Sequence, residues 1–355
     1  MATTYSATLL QAAIYKASQS DMFQKFETRG SVYGALDAAL AQKNLLLPNS
    51  TIEKLKKASS QTEKIYTFVK EANGNGTARA CSGSGDGATA STTLSWSTLS
   101  ETFQISYLDM AQNDYSYEEM FELRLRQRLL SIYSRLDTIV VDALEANYTE
   151  GLGTEFTKFN DASQVPLSAY DLTTNTAAFW LNRAKVDARR NDINMDNLHF
   201  VGDPALAGIV SSMGNQGAGN VTNLGFQFQG VGFSHTNRLE NNTGRYATGY
   251  MFEKGMFTLL TWANKLARDG KDIGTDVWTT FQDPRYGFTM ELKVKKRCND
   301  NTSKGAGMEA DYDESFVISF DYATPFAYTS DSNSGVYKYE FDADNDVQSG
   351  SGSYS

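Results

Sequence analysis

Histidine and cysteine are almost missing from this 355-residue chain, with two of each. Cys81 and Cys298 are too few and too far apart in sequence for a disulfide framework. That excludes a small disulfide-stapled secreted fold and fits synthesis in a reducing compartment. His199 and His235 have no paired spacing, so neither a histidine metal pair nor a histidine acid–base motif is visible, and each reads as a structural histidine. Nowhere is there the run of about 18 apolar residues that a transmembrane helix needs. The start, residues 1–10 (MATTYSATLL), has no positively charged region and no apolar run of signal-peptide length, so the expectation is a soluble chain without a secretion signal. Basic residues are outnumbered, 32 Lys and Arg against 42 Asp and Glu. The net charge of −10 argues against a cationic nucleic-acid groove, because phosphate binding relies on clustered Lys and Arg.

What is there is an ordinary folded composition, 41% hydrophobic and 21% charged, long enough for two domains or for one domain with large insertions. The aromatic share of 12% suits either large contact surfaces or a rich core. Residues 1–62 read as short helices separated by loops. Residues 5–17 place Leu9, Ala13, Ile14 and Ala17 on one helical face. Ser31 is placed to cap a second helix carrying Leu36, Ala39 and Leu40, which stops before Leu47-Pro48. Ser50 and Glu53 have capping-box spacing and open a short basic helix through Lys57. None of these pieces has enough apolar surface to fold alone, so the region reads as an arm lying across something else.

Residues 63–112 read as an apolar hairpin with a Gly/Ser tip. The first limb is 63–70 (EKIYTFVK) and the return limb 94–107 (LSWSTLSETFQISY), while 81–87 (CSGSGDG) between them cannot pack a core. Limbs of about 15–17 residues at roughly 3.3 Å each reach about 50 Å, against a radius of gyration of about 20 Å for a compact chain of this length. An isolated two-stranded ribbon is marginal in water. Trp96, Phe103, Ile105 and Tyr107 nevertheless need burial, and neighbouring copies of the chain are its simplest supplier. A phase slip between Trp96 and Leu99 predicts a bulge or bend. Such a protein works by assembling.

A long amphipathic helix follows. Ser116 and Glu119 form a second capping-box match, and Glu118 and Glu119 suit the positive end of the helix dipole. Leu125, Leu129, Ile132, Leu136, Ile139 or Val140, Ala143 and Leu144 keep the helical period without Gly or Pro, and Gly151 supplies the stop. About 32 residues give roughly 48 Å of helix.

Residues 155–275 read as mixed α/β. Residues 175–190 look helical, with Ala177, Leu181, Ala184 and Ala188 on one face. Residues 198–201 make a short strand, after which Asp203-Pro204 starts a helix to Met213. Residues 214–219 form a loop, 226–234 a strand bent at Gly230 or Gly232, and 246–260 one or two strands. After a loop at 268–284, Phe288, Met290, Leu292 and Val294 alternate in a half-buried antiparallel strand. Residues 316–320 and 336–341 are further strands, and the acidic Gly/Ser tail 342–355 reads as disordered unless a neighbour holds it. There is no internal repeat.

No constellation carries chemistry, so catalytic, cofactor-binding and metal residues are all assigned as none, and no enzyme emerges. Cys81 sits in the hairpin tip without a local His; Cys298, near Lys295, Lys296 and Arg297, reads as a structural cysteine. Residues 342–346 (DADND) resemble the start of a calcium loop, but Val347 occupies the Gly position and no Glu closes it. Asp311, Asp313 and Glu314 read as a solvated turn. Gly83, Gly85 and Gly87 lack the strand-to-helix context and the Lys-Ser/Thr of a phosphate cradle, and residues 214–219 fail likewise. Arg124, Arg126 and Arg128 read as a solvated or inter-subunit helix face.

In order, these elements resemble the major capsid proteins of tailed bacteriophages. Two stretches add to the likeness: 197–204 (NLHFVGDP), a strand running into an Asp-Pro helix start, and 224–239 (LGFQFQGVGFSHTNRL), a Gly-bent strand ending in a Ser/Asn-rich turn. The resemblance implies an α+β fold with an N-terminal arm at 1–62, an extended β-hairpin loop at 63–112 and a spine helix in a peripheral domain at 113–154. An axial domain at 155–275, peripheral-domain strands and a C-terminal extension at 276–341, and the acidic tail at 342–355 complete it. It implies a homo-oligomer of hexamers and pentamers forming an icosahedral shell around a double-stranded DNA genome. Scaffolding, portal and other virion proteins would be its partners, its contact with packaged DNA non-specific, no cofactor or membrane involved, and its place the virion after synthesis in the host cytoplasm. No large N-terminal scaffolding segment is visible, and the Lys–Asn crosslink of some family members is not carried over because no residues mark its partners. A cellular protein nanocompartment of similar fold, and a tail or surface-array protein, remain the alternatives.

Overall fold

The computed structural model describes residues 14–15, 33–41, 64–68, 89–106, 116–148, 169–171, 184–185, 188–189, 197–208, 210, 231–239, 247–263, 272–273, 276–299, 311–326 and 335–342. Two helices stand out, α1 (Gly34–Ala41) and α2 (Tyr117–Asn147). The strands are β1 (Lys64–Phe68), β2 (Thr89–Thr93), β3 (Ser97–Ser106), β4 (Ala169–Asp171), β5 (Leu198–Gly202), β6 (Val231–His235) and β7 (Ala247–Glu253). They continue as β8 (Leu260–Trp262), β9 (Asp272–Ile273), β10 (Asp276–Gln282), β11 (Thr289–Asn299), β12 (Asp311–Ala323) and β13 (Val336–Asp342).

Helix α2 forms as its sequence dictates. The Ser116 side chain accepts the Glu119 N–H at 3.3 Å, and the Glu119 carboxylate accepts the Ser116 N–H at 2.8 Å, completing the capping box. The same Ser116 bonds hold the Glu119 carboxyl below its ordinary range. Leu125, Leu129, Ile132, Leu136, Val140 and Leu144 are all buried on one face. The helix ends at Asn147, before Gly151: Tyr148 is extended (φ −71°, ψ 147°), and the Asn147 side chain donates to the Ala143 carbonyl at 2.8 Å. At 31 residues it is about 46 Å long.

One face of α2 lies over an antiparallel six-stranded sheet, ordered β3-β12-β11-β10-β9, with β8 also paired to β12. Alternation sends Leu99, Phe103, Phe316, Ile318, Phe320, Met290, Leu292 and Val294 into the core. Phe103 stacks on Phe316 with ring centroids 4.6 Å apart, and Phe121 of α2 closes on both. Phe103 and Ile105 are therefore covered by their own subunit, contrary to the expectation that a neighbouring copy covers them. Burying such a side chain stabilises by about 1.5–3 kcal/mol. Trp96 is half-buried, and Tyr107 lies outside the described residues.

The hairpin is also divided differently. First-limb residues 64–68 pair with β2, not with the return limb; β3 departs after the break at 94–96 and joins β12. That break lies just before the expected bend between Trp96 and Leu99, since 97–99 already belong to β3. The expected loop at 268–284 contains β9 and β10. Residues 311–314 are strand rather than solvated turn, because β12 extends back to Asp311 opposite Asn299; Glu314 is buried and accepts the Tyr117 hydroxyl.

The second sheet has the order β4-β13-β7-β5-β6 and is mixed, with β4/β13 and β5/β6 parallel. The last strand thus pairs with β7 and β4 in this sheet, not with the sheet of β11 and β12 as expected. Both its faces are covered. Val201, Tyr250, Phe252 and Val336 point to the α2 core, while Leu198, Phe200, Met251, Tyr337 and Tyr339 pack with Ala184, Ala188 and Leu206. With both faces covered, residues 247–252 of β7 are buried without a break, Thr248 included. Asp203 caps the helical residues 204–208, accepting the Leu206 N–H at 2.7 Å.

Candidate functional site

The residues carrying the most side-chain chemistry gather where α1 meets α2. Asp137, fully buried in the middle of α2, accepts the Leu36 N–H at 2.9 Å and the Thr236 hydroxyl. Its carboxylate therefore caps the N-terminus of α1 from another helix, where negative charge is favoured. Burial pushes its carboxyl above the usual range, opposed by those bonds and by the Arg238 charge. Arg238 donates to Ser134 through both Nε (3.0 Å) and Nη2 (2.7 Å), fixing the turn after β6 to α2.

A second buried carboxylate lies on the other side of α1. Asp283 accepts the Tyr133 hydroxyl from α2 and the Tyr286 N–H at 2.6 Å, closing the β10–β11 turn, in which Gly287 takes φ +68°. Burial raises its carboxyl too, against the pull of those hydrogen bonds. The Tyr286 hydroxyl reaches back to Asp37 of α1 at 2.8 Å. Tyr33, Tyr133 and Tyr286 contact edge-on in series, 5.8 and 5.2 Å between centroids.

His199 enters this junction as a tie. Its Nε2 is 3.0 Å from Ser234 Oγ, and Ser234 donates at 3.0 Å to the Gly34 carbonyl. With the serine proton committed to that carbonyl, the imidazole nitrogen is the donor, which is the wrong polarity for a base activating a nucleophile. Burial and nearby Lys254 lower the His199 pKa to about 4. His235 lies in β6, and its backbone carbonyl packs so closely on Gly34 that any Cβ there would collide with it. Among the described residues no group of three or more His, Cys, Asp or Glu is placed to hold a metal. Also among them, no helix is long and apolar enough to cross a membrane.

The other sequence candidates separate. Arg126 is buried rather than solvated, and Arg128 turns to Glu101 of β3 at 3.5 Å, where Arg135 also binds at 2.7 Å. Arg128 and Arg135 thus bind the subunit's own sheet. Cys81, the 83–87 glycines, residues 214–219 and 343–347 fall outside the described residues, as do the side chains of Cys298 and Asp342. Asp137 and Asp283 were not singled out from sequence. The available signal was an aspartate four residues after Tyr133 on the apolar stripe, and an Asp-Pro turn before Gly287.

At its C-terminal end α2 holds the second sheet. Glu145 accepts the Tyr250 hydroxyl and Lys338 Nζ (2.8 Å), and Lys338 sits 5.1 Å from the Tyr148 ring centroid. The β1–β2 hairpin is a two-stranded sheet of its own.

A long helix across an antiparallel sheet, a second mixed sheet at its far end and a separate hairpin before it make the fold of a tailed-bacteriophage capsid subunit. Specifically, the chain superposes on the capsid of cyanophage A-1(L) with a TM-score of 0.51 at 12% identity, over 89% of this chain and 95% of that one. Weaker overlaps are with a structure from Mycobacterium phage Che8 (TM-score 0.48, 12% identity, 84% and 89% covered) and the capsid of cyanophage P-SCSP1u (0.42, 13%, 82% and 85%). No family model and no curated protein matches the sequence.

Proposed function

We propose that this chain is the major capsid protein of a tailed bacteriophage, a structural protein that self-assembles into an icosahedral shell around double-stranded DNA. The observation that carries it is the shared fold over nearly the whole of the cyanophage A-1(L) capsid chain. In this proposal 1–62 is the arm, 63–112 the extended loop and 113–154 the spine. Residues 155–275 form the axial domain, 276–341 the remaining peripheral strands and C-terminal extension, and 342–355 the tail. Hexamers and pentamers of this chain form the shell, with scaffolding and portal proteins as partners. Its net charge of −10 faces packaged DNA without adhering to it. An arm and a loop each gripping different neighbours give avidity from modest single contacts.

Electron microscopy of particles purified from infected cells, with their nuclease-protected nucleic acid assayed, tests this. Closed angular shells containing protected double-stranded DNA are expected. Shells enclosing protein but no DNA would replace this proposal with a nanocompartment, and tubes or flat arrays would replace it with a tail or surface-layer protein.

A further inference from the structure

Helix α1 touches both halves of the molecule. Toward the five-stranded sheet, the Gly34 carbonyl accepts Ser234 Oγ at 3.0 Å, and Tyr33 forms a backbone bridge to Thr236. Toward the six-stranded sheet, Asp37 accepts the Tyr286 hydroxyl at 2.8 Å. Thr258, on the stretch leading from β7 in one sheet to β8 in the other, donates to the Ala39 carbonyl at 3.0 Å. Tyr33 joins the two sides most directly. Arg238, after β6, lies 5.8 Å from its ring centroid, and Arg285, in the β10–β11 turn, 5.4 Å. Each guanidinium is attracted to the aromatic ring, so Tyr33 gives an arginine from each side a shared partner.

We infer that α1 is a clamp locking the five-stranded sheet to the β10–β11 turn of the six-stranded sheet, so that how firmly α1 is seated sets how rigidly the two sheets are held. At eight residues α1 is too short to hold its own shape, because isolated helices below about 12–15 residues are marginal in water. Docking and folding of α1 are thus one event. When it leaves, Asp137 loses its backbone donors and Tyr286 its carboxylate partner, so both turns loosen together. On the capsid proposal, a subunit that sits at slightly different angles to its neighbours gains an adjustable joint by this means.

Hydrogen exchange of the full chain, read by peptide, tests the clamp. Ser234→Ala removes one tie on the five-stranded side, and Tyr286→Phe one tie on the six-stranded side while keeping the ring. Coupling between sites is reciprocal and typically about 5–150-fold. Ser234→Ala should therefore speed exchange roughly fivefold or more in 283–288 as well as in 33–41, and Tyr286→Phe should do the same in 231–239. In a Gly34→Ala background, where the added methyl meets the His235 backbone and unseats α1, all three segments should loosen and these cross-effects vanish. Effects confined to each mutated side would overturn the inference. So would cross-effects that persist in the Gly34→Ala background, since α2 would then be the carrier. If Gly34→Ala loses protection in β11 and β12, the two milder variants decide alone.

Discussion

Helix α1 and the β1–β2 hairpin are both short elements from the N-terminal third of the chain, and the molecule treats them oppositely. The helix has Ala35, Leu36 and Ala39 fully buried, its N-terminus capped by Asp137 and its Ala39 carbonyl satisfied by Thr258. The hairpin pairs five residues with five, Lys64 opposite Thr93 through Phe68 opposite Thr89. Neither is stable by local propensity. The contrast frames a prediction: α1 belongs to the subunit's own core, while on the capsid proposal the hairpin is covered by neighbouring copies.

The largest expected effect tests the helix side. Leu36→Ala empties a fully buried site and should cost about 2–5 kcal/mol in urea unfolding. A cost below about 1 kcal/mol would make α1 a passenger and break the comparison.

Next comes a pH effect on the tie beneath α1. The unfolded chain protonates His199 near pH 6.5, the folded one only near pH 4. Its contribution is complete above pH 6.5 and is lost as pH falls toward 4, about 3 kcal/mol over the window. Asp137 and Asp283, with raised folded pKa values, have the opposite sign and gain stability as pH falls through theirs. The measurement is therefore a difference: wild type should lose about 3 kcal/mol more than His199→Gln between about pH 7.5 and 4. Equal losses would show His199 charging freely in the folded state. A smaller change is expected for Thr258→Val, which leaves the Ala39 carbonyl without its donor and should cost about 1–2 kcal/mol.

Legibility followed the range of the determining interactions. Helix α2 was readable because its cap and apolar period are local, and β11 because Met290, Leu292 and Val294 alternate. Strand β10 was missed because Trp278 lies on the opposite face from the buried Thr279 and Phe281, which blurs the apolar alternation, and an Asp-Pro turn follows. That β13 joins β7 rather than β12 is partner choice, which no local pattern encodes. Asp137 was visible as a polar residue in an apolar stripe, but its partners Leu36 and Thr236 are 101 and 99 residues away. Phe103 and Ile105 were correctly read as needing burial. Alternation along a strand says that a face is covered and is silent on which chain covers it.

The smallest expected effect on stability sharpens the hairpin side. Lys64 and Thr93 are directly opposed, so their Cα atoms are within about 5.5 Å, and a Gly-Gly bridge from Glu63 to Leu94 closes the gap if 64–93 is excised. Strand β3 keeps its full register with β12, and Phe103 its stack on Phe316. Unfolding free energy should then change by less than about 1 kcal/mol, since a two-stranded ribbon adds little by itself. Particle formation, scored by electron microscopy of the variant expressed with its assembly partners, should be lost. A loss of several kcal/mol would place the hairpin in the subunit's own core, and intact shells would remove it from assembly. Either outcome would end the opposition between a helix covered from within and a hairpin covered from without.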